Sequence, residues 1–275
     1  MSIIIISADD RAAEGQIGGR TAEILGYGRL GPELLQEIAA KYGVEEGKLA
    51  EALEREPSLL RGMPPKKWYY YLSCIEAEVL ERLAADKMVC WSLAAHLYVL
   101  GISHALRVRI ISDIEQRAAA LAEENGISLQ RAQKILAKQQ RQRVQWCQTA
   151  YGQDETDPAL YDLVINLGQI DPDEAAATIA KAVGYRKFEP MTYSRKCLAN
   201  LLLAAKVKTR LLETMSDIHV QSRDGRVVVT TKALKRDKQK KTLAIKELAG
   251  SVEGVDFVEV HINNDIFSEA AQSLR

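Results

Sequence analysis

The sequence predicts an α/β protein, a parallel sheet flanked by helices, followed by a small α+β unit of order αββαβ. Ile3-Ile4-Ile5-Ile6 is an apolar, β-branched run that meets a polar segment and then a helical stretch closing at Leu25-Gly26-Tyr27. Strand-like runs alternate with helical patterns as far as about residue 183, as in a parallel sheet covered on both faces. Beyond residue 193 the order changes, and Asp224-Gly225 between two alternating or β-branched runs marks a hairpin.

The elements follow from local pattern. Pro32 opens a helical stretch to about Tyr42, and Val44 to Glu54 continues helical after Gly43. Pro57 and Gly62-Met63-Pro64-Pro65 mark a loop. Leu72, Ile75, Val79, Leu80 and Leu83 fall at helical spacing, which predicts a helix over Trp68 to Ala85. Met88 to Trp91 and Leu106 to Ile111 read as strands, and helices are expected over 113–125 and 128–149, divided by Asn125-Gly126. Leu163 to Leu167 is the last strand of this part, and Asp171-Pro172 caps a helix running to about Val183. Residues 184–193 look like a linker. A helix over 194–213, strands at 218–222 and 227–231, a helix over 237–249 and a strand at 256–262 complete the second unit. The expected domains are therefore 1–186 and 194–268.

With 275 residues, 47% hydrophobic and 27% charged, the chain has the composition of a globular protein. Its neutral total conceals an asymmetry, a net −5 over residues 1–190 and a net +5 over 191–275. Cys74, Cys90, Cys147 and Cys197 form no C-x-x-C pair and are expected reduced. The histidines lack metal-ligand spacing, so no metal site is expected. The N-terminal apolar run is too short for a signal peptide and has no basic flank, and no run approaches a membrane span, so a cytoplasmic chain is expected.

Residues 1 to about 183 carry Leu25-Gly26-Tyr27, Ile75-Glu76-Ala77-Glu78, His96 within Ala94-Ala95-His96-Leu97, Gly101-Ile102-Ser103-His104, Arg107-Val108-Arg109, Arg117, Tyr151-Gly152 and Leu160 to Asn166. Together these resemble the cytidylate kinase-like family of P-loop nucleoside monophosphate kinases. The resemblance implies phosphoryl transfer from a nucleoside triphosphate to a monophosphate such as CMP, with ATP and Mg²⁺ as cofactors. Such an enzyme needs G-x-x-x-x-G-K-[ST] between first strand and first helix, so that backbone N–H groups close around phosphate and the lysine neutralises it.

Counting back without a gap from Gly26-Tyr27, Glu14 takes the lysine's place, and Ala8 and Ala13 take those of the glycines. The family's G-S-G-G is replaced by Arg11-Ala12-Ala13-Glu14, followed by Gly15. A carboxylate about 4 Å from a phosphate oxygen is unfavourable by roughly 1 kcal/mol in water and about 4 kcal/mol at an effective dielectric of 20. Ser92-Leu93 stands where the family tends to have Gly-Arg, and Gln140 where a lid Asp often precedes Arg143. Arg107, Arg109, Arg117 and Arg143 survive as candidate phosphate ligands; each also has a plainer account, in an ion pair or on a solvated face. His96 is the candidate catalyst or a packed histidine, and Tyr69 to Tyr71 stack a base or pack in the core. A second register, Gly18-Gly19-Arg20-Thr21 with arginine for lysine, makes Arg20 and Thr21 nucleotide candidates and requires a later helix start.

Residues 199–264 resemble a BON domain, through Leu203-Ala204-Ala205-Lys206-Val207-Lys208, Ile218-His219-Val220, Asp224-Gly225-Arg226-Val227 and Val252-Glu253-Gly254-Val255. That resemblance implies contact with a membrane surface or a protein. Lys235, Arg236, Lys238, Lys240 and Lys241 are the candidate contacts, since polybasic clusters gain roughly 1 kcal/mol per residue near anionic lipid. Nucleic acid is not expected, as no aromatics interleave the cluster. The expected function is a catalytically degenerate nucleotide kinase-like protein, a nucleotide sensor or scaffold with a BON module. The alternative is an active kinase with a rearranged loop.

Overall fold

The computed structural model describes residues 2–58 and 62–263. Its first layer is a five-stranded sheet built from β1 (Ile3–Ala8), followed by α1 (Arg11–Leu25), β2 (Gly28–Leu30), α2 (Leu34–Tyr42), α3 (Glu46–Glu54), α4 (Pro65–Leu83), β3 (Met88–Trp91), α5 (Ala95–Tyr98), β4 (Ala105–Ile111), α6 (Ile114–Asn125), α7 (Leu129–Tyr151), β5 (Leu163–Asn166) and α8 (Pro172–Ala182). The strand order is β2-β3-β1-β4-β5 and every pairing is parallel. The predicted parallel α/β sheet is thus present. Its four consecutive isoleucines follow from burial on both faces: Ile3 and Ile5 enter the core beneath α4, Ile4 and Ile6 the core on the side of Ile17 and Ile179.

Three helix ends fall where the sequence places them, whereas α4 starts at Pro65, three residues before the expected Trp68. Gly26 and Gly126 take left-handed backbone, φ 63° and 61°, and close α1 and α6. Asp171 caps α8 in a capping box with Glu174. The sequence missed β2 and α5, which span three and four residues and are too short to display a period. α6 and α7 form a hairpin with a small core of its own, Ala118, Ala132 and Leu136 with Leu121, Ala122 and Ile127.

The second unit consists of α9 (Thr192–Leu212), β6 (Ile218–Arg223), β7 (Arg226–Lys232), α10 (Lys238–Gly250) and β8 (Phe257–Asn263). Its sheet has the order β6-β7-β8, antiparallel then parallel. Asp224 and Gly225 make the hairpin turn with positive φ at both positions, 46° and 77°, as a type I′ turn requires.

Residues 184–193, expected to be a linker, are mostly exposed but are pinned to the first unit at one point and just beyond their end. Phe188 is buried in the first unit's core, its carbonyl accepting a 2.7 Å hydrogen bond from Ser2 Oγ, and buried Ser194 bonds His104 Nδ1 at 2.6 Å. α9 then serves both units. Leu198 and Ala205 pack into the first core, whereas Val207, Leu211 and Leu212 build the second. Ion pairs Lys206–Glu81 (2.6 Å) and Lys208–Glu76 (2.9 Å), and a hydrogen bond from Thr209 to the Ser73 carbonyl, fix α9 along α4. No described helix is long and apolar enough to cross a membrane.

Candidate functional site

Parallel strands end on one side of a sheet, and a ligand crevice forms outside those carboxyl ends. Here the ends of β1, β3 and β4, the start of α1 and the inner faces of α6 and α7 enclose a cleft of about 820 Å³. Only Asp9 and Asp10 separate β1 from α1. Asp10 is the N-cap, its carboxylate accepting from Ala12 N–H at 2.9 Å. Ala8 ends the strand, and Ala13, Glu14 and Gly15 already belong to the helix.

Glu14 is 5% exposed and turns back into this short connection. One carboxyl oxygen accepts from the Ala8 N–H at 3.2 Å and the other accepts from the Ser92 hydroxyl. Burial raises its pKa above the usual carboxylate value, against the opposing pull of the Ser92 and Ala8 hydrogen bonds and the Arg143 charge. Ser92 has φ 62°, left-handed backbone that glycine adopts without strain. The place of the family's glycine is therefore held by a serine tied to Glu14.

Three of the surviving arginines reach the cleft, each engaged by protein. Arg109, 8% exposed, donates to Ser7 Oγ at 2.8 Å and pairs with Asp9. Arg117 donates to the Asp9 carbonyl at 2.7 Å. Arg143 donates through Nε to both oxygens of Glu155 at 2.8 Å and through Nη1 to the Leu53 carbonyl at 3.1 Å, and lies 4.3 Å over the Trp146 ring. Arg107 is not among the residues lining the cleft; it pairs with Asp162. The sequence missed Glu155, because Gln153-Asp154-Glu155-Thr156 reads as a solvated turn, yet its side chain is 3% exposed beneath Arg143.

His96 also lines the cleft, at 2% exposure, its ring stacked on Tyr161 with centroids 5.7 Å apart. Its Nε2 has no hydrogen-bond partner and lies 3.8 Å from Glu155 Oε2. Burial, then the charges of Arg143, Arg109 and Arg107, lowers its pKa well below 6.5, so the imidazole is neutral at pH 7.

The second loop register is corrected. Gly18 to Thr21 lie in the middle of α1, Arg20 is ion-paired with Glu23 and Asp173, and the buried Thr21 hydroxyl donates to the Ile17 carbonyl. Gly18 has a packing reason: a Cβ there would meet the Trp91 ring at 2.7 Å. Tyr70 and Tyr71 pack against the core, and Tyr69 donates weakly to the Thr149 carbonyl. In the second unit, Arg236, Lys238 and Lys240 are exposed around the start of α10, and Lys241 donates to the Lys232 carbonyl at 2.8 Å. The Lys235 side chain lies outside the described residues.

Residues 3–169 match the model of the cytidylate kinase-like family. The chain belongs to that family. A cytidylate kinase from Ignicoccus hospitalis is 26% identical over 188 residues, covering 66% of this chain and 98% of its own. A cytidylate kinase from Methanopyrus kandleri is 27% identical over 161 residues, covering 55% of this chain and 76% of that one. An uncharacterized protein from Eubacterium ventriosum has a crystal structure that superposes with a TM-score of 0.50 at 16% identity, covering 68% of this chain and 100% of that one; this likeness is one of fold alone.

Proposed function

We propose that this family member keeps the kinase scaffold without phosphoryl transfer, acting as a nucleotide-sensing or scaffold protein. The observation that carries the reading is the Glu14 carboxyl on the Ala8 N–H and the Ser92 hydroxyl. A phosphate cradle offers free backbone donors and a lysine. This connection offers a carboxyl at the lysine's place, and Ala8 and Ala12 N–H are already occupied by Glu14 and Asp10. The residues present do not fit the phosphates of ATP with Mg²⁺, and no transfer step is assigned to them.

Arg109, Arg117 and Arg143 are the retained candidate ligand contacts, and Ala8, Ala13, Glu14 and Gly15 the degenerate phosphate loop. The element order α9-β6-β7-α10-β8 supports a BON-like reading of the second unit. The exposed Arg236, Lys238 and Lys240 support contact with an anionic membrane surface or an acidic protein. The test is turnover of CMP with ATP and Mg²⁺. No ADP above background is expected; turnover that disappears in Arg109→Ala or Arg143→Ala refutes the reading.

A further inference from the structure

The cleft differs from a phosphate site in more than its short loop. Five arginines line it, but so do six carboxylates, and no lysine does. Arg11 pairs with Glu54, Arg109 with Asp9 and Arg143 with Glu155, so the local field is close to balanced. Arg55 and Arg117 have no carboxylate partner among the described residues, but with six carboxylates against five arginines the lining offers an entering polyphosphate no net positive charge.

What the cleft does offer is neutral hydrogen-bonding capacity. α6 and α7 turn Gln116, Gln139, Gln140 and Gln142 toward it, and none of the four amide groups has a protein partner among the described residues. Each amide both donates and accepts, which suits hydroxyls and base edges. At the floor, the His96 Nε2 is buried, neutral and unpartnered, a state that native structures seldom leave unexplained. The adjacent Glu155 Oε2, 3.8 Å away, is an acceptor that a hydroxyl bridging to His96 could reach. The volume of about 820 Å³ is within the range of small-molecule pockets.

We infer that this cleft takes an uncharged nucleoside, held by His96 Nε2, Glu155 and the glutamines of α6 and α7, rather than a phosphorylated nucleotide. The inference rests on reading the crevice as the family's ligand cleft with its phosphate end closed by Glu14.

The test is a ligand-observed NMR titration of the whole chain with cytidine, uridine, adenosine and guanosine, beside their 5′-monophosphates and magnesium triphosphates. At least one nucleoside should bind at millimolar concentration or below, its monophosphate no more tightly, and its triphosphate about tenfold more weakly. His96→Phe should weaken the nucleoside about tenfold or more. Should that variant fail to fold, Gln140→Leu on the exposed face of α7 serves, with a weakening of several-fold expected. Wild-type affinity in the folded variants, or no binding of any nucleoside or nucleotide, overturns this inference and leaves the phosphate-loop reading standing. Affinity that rises with each phosphate and with Mg²⁺ overturns both.

Discussion

Replacing Glu14 by glutamine should change how stability depends on pH. The carboxyl is buried, and desolvation is the largest influence raising its pKa. Below the unfolded-state value, near 4.5, both states hold the proton and the group contributes nothing. Between that value and the raised folded value, the native protein holds a proton that the unfolded chain has released, so stability falls as pH rises. Above the folded value the loss is complete and constant. Each pKa unit of elevation corresponds to about 1.4 kcal/mol, and each kcal/mol shifts Tm by about 2–4 °C in a domain of 150–250 residues. Glutamine keeps the side-chain volume and an acceptor for the Ala8 N–H without the titration. Thermal unfolding from pH 4 to pH 8 should show wild type losing stability relative to Glu14→Gln as pH rises, then running parallel to it. Glu14→Ala should lose about 1 kcal/mol or more at all pH values, because the half-buried Ala8 N–H loses its acceptor. Parallel curves for wild type and Glu14→Gln across the whole range, or an alanine variant as stable as wild type, would mean that Glu14 is not the buried, hydrogen-bonded carboxyl that closes this loop.

Arg143→Met should cost about 3–5 kcal/mol at neutral pH by leaving Glu155 buried without its partner; denaturant unfolding measures it, and a loss under about 1 kcal/mol would count against the pairing. A chain ended at residue 190 should unfold at lower temperature than the full chain, because Leu198 and Ala205 of α9 leave the first core open; an unchanged Tm would show that the two units are independent. Neutralising Lys235, Arg236, Lys238, Lys240 and Lys241 together should weaken co-sedimentation with anionic vesicles by up to about 1 kcal/mol per charge, and added salt should do the same; salt-insensitive binding would count against the surface.

The sheet was legible because its signals are local and strong. Four β-branched residues in a row admit little but a doubly buried strand, and Asp171-Pro172 and Asp224-Gly225 set backbone angles by their own chemistry. Gly184 and Pro190 punctuate residues 184–193 as they would a loop, and the burial of Phe188 within them was not legible because it is decided by long-range packing against Ser2 and the core. The ends of α1 were visible, and with them the placing of Glu14 in the first turns. Its hydrogen bonds were not, since Ser92 lies 78 residues away and meets it only through the pairing of β1 with β3. Asp9 and Glu155 were missed for a related reason: a carboxylate in a polar segment reads as solvated until the arginine that buries it is brought alongside. Arg107 and Arg109 share a strand and a face, yet only the latter reaches the cleft, a difference of one strand pitch that spacing does not reveal.

Calorimetric titration of the full chain with ATP and Mg²⁺ probes the closed phosphate loop itself. No saturable heat is expected, with or without the metal. Micromolar binding that Mg²⁺ strengthens would contradict that closure, because Glu14 would then have to leave Ala8 and Ser92 to admit phosphate.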